Sequence, residues 1–168
     1  MLLSTSLFLL TIFILLVLFM YSPVKVYLND FISYLLGFIL GVVILYLNFY
    51  ITKFLRYLKK KDDNFSDPIN ILKDKNIFFA MIVLIAGVLF EELIFRSYIL
   101  SYSQFLLNIP FSILLSTILF TLIHFRCRYL QIFIMGLSYS ILTIYTNNLL
   151  TPIIAHLTNN CLIYIIKK

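Results

Sequence analysis

Six long apolar runs constrain this chain more than any other feature, at about 2–21, 31–55, 76–100, 110–125, 129–146 and 148–166. A helix needs roughly 20 apolar residues to cross a ~30 Å hydrocarbon core, and each run is close to that length. The chain is 62% hydrophobic with a mean hydropathy of +1.05; a soluble domain is nearer about 45–50% apolar. One buried core cannot absorb that excess. The expected fold is all-α, a polytopic transmembrane helical bundle of about six spans. It forms a single membrane domain over 1–168, with no room for a separate soluble catalytic domain. No basic segment precedes the first run and no A-x-A site follows it, so it reads as a span rather than a cleaved signal peptide.

The net charge of +6 does not point to nucleic acid, because the basic residues sit in connections between apolar runs. The one long polar stretch is 56–75, RYLKKKDDNFSDPINILKDK. Placed in the cytoplasm, it puts Lys53, Arg56, Lys59, Lys60, Lys61, Lys73 and Lys75 inside. Alternation then adds Arg126, Arg128, Lys167 and Lys168, eleven of the thirteen basic residues. Lys25 falls outside and Arg96 lies within a span. This bias predicts a multi-pass protein of the cell membrane, surrounded by lipid, with 56–75 as a cytoplasmic loop and both termini cytoplasmic. Cys127 and Cys161 form no C-x-x-C pair and read as small apolar side chains.

Five of the seven acidic residues lie in loops, whereas the two glutamates, Glu91 and Glu92, lie inside an apolar run with Arg96. A charge at the bilayer centre costs at least ~2.5–3.5 kcal/mol, so such residues face the bundle interior and mark function. Glu92 and Arg96 are one helical turn apart and can pair. Glu91 points about 100° away and is left to exchange a proton. Taken alone, the three also fit a structural ion network. The only histidines, His124 and His156, lie in apolar runs too. Phe120 and His124 share a face, as do His156 and Asn160. Polar faces on three helices are best explained by convergence on one cavity.

The chemistry can be narrowed. A serine design needs G-x-S-G, and Gly136-Leu137-Ser138-Tyr139 lacks the last glycine. An aspartyl design needs two membrane aspartates, and none of the spans has one. H-E-x-x-H is absent. What remains is a carboxylate with imidazoles: Glu91 and His124 suited to activating water, His156 and Asn160 to stabilising an oxyanion. Glu91 and the two histidines can also hold a metal, so zinc stands as the second choice.

The set Glu91-Glu92-x-x-x-Arg96, Phe120-x-x-x-His124 and His156-x-x-x-Asn160, in order over 91–160, resembles the CAAX protease and bacteriocin-processing membrane peptidases, the CPBP or Abi family. The resemblance implies an intramembrane endopeptidase with Glu91, His124, His156 and Asn160 catalytic. Glu92 and Arg96 follow as supports, and Phe120 belongs to the same motifs. It implies a peptide or protein substrate and leaves metal dependence open. Where a glycine commonly follows the motif arginine, this chain has Ser97. Eukaryotic members trim prenylated CAAX proteins; bacterial members are linked to peptide processing and bacteriocin self-immunity. The Trp-free composition, rich in Ile, Lys, Asn and Tyr, suggests an AT-rich bacterial genome and the second context.

Two rivals remain: a non-catalytic membrane immunity or regulatory protein that binds a partner, and a proton or ion pathway. One mismatch also stands. Counted from the run ends, Glu91 and His156 agree in depth within about 4 Å, whereas His124 falls roughly 10 Å nearer the cytoplasm.

Overall fold

The computed structural model describes residues 14, 17, 20–59, 75–124 and 129–167. Most of the expected first span and of the 56–75 loop, together with Arg126, Cys127 and Arg128, lies outside these residues. Every described element is helical, as the apolar runs demand.

Asp30 opens the first long helix, α1 (Phe31–Lys59), by accepting a hydrogen bond from the Ser33 amide at 3.1 Å. The helix runs on to Lys59, four residues into the stretch expected as loop. Asn76 caps α2 (Ile77–Glu92) through the Phe78 amide, 2.9 Å. This helix passes without a break into a π-helical segment, Leu93–Ile99, and then α3 (Leu100–Ser103). In the π segment the Leu100 amide donates to Phe95 O, five residues back. Asn108 caps α4 (Ile109–Ile123), with Pro110 in the first turn where no amide is needed. Then come α5 (Tyr129–Thr146) and α6 (Leu150–Lys167). Between them Asn147 takes a positive φ of 47°, which asparagine tolerates. Asn148, fully buried, accepts from the Leu150 amide at 3.1 Å.

Among the described residues, three helices are long and apolar enough to cross a membrane: Phe31–Leu55, Ile77–Ser103 and Tyr129–Thr146. Ile109–Ile123 and Leu150–Ile166 are apolar but shorter.

Association of helices in lipid depends on close backbone approach and interior polar contacts rather than on hydrophobic burial. The α1–α6 crossing shows this. A Cβ at Gly37 would stand 2.5 Å from Thr151 O, and one at Gly41 2.5 Å from Ala155 O. These two glycines, four apart, let α1 lie on the α6 backbone beside His156. At the N-terminal end of α6, residues 22–27 lie against the bundle. Leu149 donates its amide to Lys25 O at 3.1 Å, and the Asn148 carboxamide donates to Tyr27 O at 3.2 Å. Val24 packs into a core with Val88, Leu93, Leu149 and Ile153. Ser97, in the usual glycine position, faces this segment. Its hydroxyl lies 2.6 Å from that of Ser22 and accepts from the Val24 amide at 3.5 Å.

Candidate active site

Glu91 and Glu92 close the last turn of α2, and the helix turn divides them as their spacing requires. Glu92 is fully buried. Its Oε2 lies 3.2 Å from Arg96 Nε, an ion contact off the line of a good hydrogen bond. Its Oε1 accepts from His156 Nδ1 at 2.7 Å. Glu91 stays out of that pair and keeps about a quarter of its side chain exposed. Its Oε1 lies 3.7 Å from His124 Nε2 and its Oε2 lies 3.8 Å from His156 Nε2. Each carboxylate oxygen therefore faces one imidazole.

Both imidazoles are oriented from behind. His124 ends α4, and its Nδ1 lies 2.8 Å from Phe120 O, a carbonyl left free where the helix stops. A carbonyl only accepts, so Nδ1 carries the hydrogen. The Glu92 carboxylate does the same for His156. The Nε2 of each ring is then turned toward Glu91, as a lone pair where the ring is neutral and as an N–H where it is doubly protonated.

The depth mismatch is resolved by the length of α4. Its 15 residues reach about 22 Å at 1.5 Å per residue, and counted from the same turn at 104–108 Glu91 lies about 18 Å down its own helix. His124 meets Glu91 because α4 stops there.

Phe120 and Tyr139 wall the site. The Arg96 guanidinium carbon stands 4.3 Å from the Phe120 ring centre and 5.5 Å from that of Tyr139. Phe120 lies 4.8 Å from the His124 ring and edge-on to His156 at 6.1 Å. Tyr139 lies 5.1 Å from the His156 ring, tilted 31°. Arg96 is fully buried and also donates from Nη2 to Gly136 O at 3.4 Å. A side chain at Gly136 would meet Phe120 Cδ1 at 3.0 Å, so the glycine lets α5 close on the site. Tyr139 was not legible as a site residue. The one signal was a glycine one turn before a tyrosine in an apolar helix.

Asn160 is placed differently. It follows His156 by one turn of α6, but its Oδ1 accepts from Asn159 Nδ2 at 3.4 Å. Among the described residues no side-chain hydrogen bond or ion pair joins its carboxamide to Glu91, His124 or His156.

A carboxylate that faces two imidazoles inside a bundle of apolar helices is a candidate hydrolytic site within a membrane protein. Residues 73–162, more than half of the chain, match the family described as type II CAAX prenyl endopeptidase Rce1-like. The chain belongs to that family, and so to the membrane-embedded proteases. No curated protein and no solved structure matches the chain.

Proposed function

We propose that the chain is a glutamate-type intramembrane endopeptidase of the CPBP kind, acting in peptide processing or bacteriocin self-immunity. Its setting is a bacterial cell membrane, with the basic loops and both termini in the cytoplasm and a peptide or protein as substrate. The observation that carries this reading is the placement of Glu91 between two Nε2 atoms at 3.7 and 3.8 Å.

A water between Glu91 and His124 gives its proton to the carboxylate, and the hydroxide oxygen attacks the scissile carbonyl carbon. Negative charge develops on the carbonyl oxygen. His156 donates to it from Nε2, which requires the doubly protonated ring, with Glu92 holding the Nδ1 hydrogen. Asn160 supplies the second donor once its carboxamide turns from Asn159. The proton taken by Glu91 then passes to the leaving amine as the C–N bond breaks.

Zinc is the second reading, and the tied Nδ1 atoms favour it, since metal-bound histidines donate their other nitrogen to a carbonyl or carboxylate. Ligands about 2.0–2.1 Å from a tetrahedral ion stand about 3.3–3.4 Å apart, so this set would have to tighten. Among the described residues no three His, Cys, Asp or Glu side chains are grouped to hold an ion. The cofactor-free mechanism comes first.

Cleavage of a peptide library by purified protein tests the proposal. Glu91→Gln keeps size and removes the base, so cleavage should fall ~10²–10⁴-fold with the fold intact. Inhibition by a chelator, reversed by zinc, would move the same residues into ligand roles. Full biological activity in Glu91→Gln would support the non-catalytic alternative, an immunity or regulatory protein that binds a partner.

A further inference from the structure

Histidine ring torsions are broad and roughly two-fold, so the His156 imidazole needs packing as well as a hydrogen bond to hold one orientation. Tyr139 provides a face at 5.1 Å and 31° on one side, and Phe120 an edge at 6.1 Å and 78°. Turning the imidazole about its Cβ–Cγ bond carries it into these rings. Tyr139 also stands 5.5 Å from the Arg96 guanidinium. It therefore touches both groups that share the Glu92 carboxylate. Its hydroxyl is buried and has no hydrogen-bond partner among the described residues. Buried tyrosine hydroxyls usually find one. The ring, not the hydroxyl, is what the site uses.

We propose that Tyr139 is a positioning residue for the peptidase reaction: its ring pins the His156 imidazole with Nδ1 on Glu92 and Nε2 toward Glu91. The role rests on the peptidase reading of the site. His124 supplies an internal control, because its Nδ1 is held by Phe120 O of its own helix and needs no help from Tyr139.

Only two histidines are present, so histidine labelled with ¹⁵N gives two ring systems, assigned with a His124→Gln variant. At a pH where both rings are neutral, His156 should show one tautomer, protonated at Nδ1. Tyr139→Phe should keep that pattern. Tyr139→Leu should mix the tautomers of His156 and leave His124 unchanged. In cleavage assays Tyr139→Leu should lower kcat at least 10-fold with KM within twofold, and Tyr139→Phe should stay within twofold of wild type. Tyr139→Met, also flexible and without a ring, serves in place of a leucine variant that fails to fold. The proposal is overturned if the leucine or methionine variant keeps the wild-type His156 nitrogen pattern, or if Tyr139→Phe disturbs it as much as they do. The nitrogen spectra do not depend on cleavage, so failure of this role and failure of the peptidase reading give different results.

Discussion

Arg96→Ala takes a fully buried guanidinium from between two aromatic rings and from an ion contact of 3.2 Å with Glu92. Breaking a buried pair by removing one partner typically costs ~3–5 kcal/mol, because the other charge is left uncompensated. Here Glu92 keeps His156 at 2.7 Å, which places the expected cost near the lower figure, about 3 kcal/mol. That is roughly a 100-fold change in the folded-to-unfolded ratio, against the ~5–15 kcal/mol of a typical domain. The assay is reversible unfolding in detergent of Glu92→Gln, Arg96→Ala and the double variant. The double variant should be less destabilised than the sum of the singles, since neither charge is then left alone. A coupling energy below about 0.5 kcal/mol, the range seen for independent sites, would refute the claim that these two buried charges offset one another.

Other tests address other parts of the molecule. Gly41→Val forces a side chain to within 2.5 Å of Ala155 O; overpacking typically costs ~1–3 kcal/mol, and thermal unfolding in detergent should show it. Asn160→Ala should slow cleavage by roughly 10²–10³-fold, as loss of an oxyanion donor does; an unchanged rate would remove Asn160 from the mechanism. Ser97→Ala breaks the Ser22 contact and should lower stability by about 1 kcal/mol, leaving the catalytic rate near wild type.

The sequence carried the helix positions well, because apolar runs of spanning length have few other ways to fold. It also carried the division between Glu91 and Glu92, because i to i+4 spacing alone sets which carboxylate can reach Arg96. The meeting of Glu91 with both histidines followed from polar residues having nowhere else to go in lipid. Three features were not readable in the same way. The packing face of α5 is hidden, since lipid and protein neighbours are equally apolar and periodicity does not separate them. Tyr139 was missed for that reason. The approach of Gly37 and Gly41 to α6 depends on a crossing partner that one sequence does not name. The end of α4 at His124 was displaced by assuming that every apolar run reaches both membrane faces. The chemical roles of Glu91, His124, His156 and Asn160 rest on the cleavage experiments.

The shortness of α4 reaches beyond placing one histidine. A helix of about 22 Å beside neighbours long enough to cross leaves a local mismatch with a ~30 Å hydrocarbon layer. Bilayers accommodate a short helix by thinning around it, at fractions of a kcal/mol per Å. Thinning at the His124 end would bring headgroups and their hydration shell toward the imidazole, and with them water toward Glu91 from the side. A hydrolytic site can thus be wetted by the shape of the surrounding lipid, with no pore through the protein.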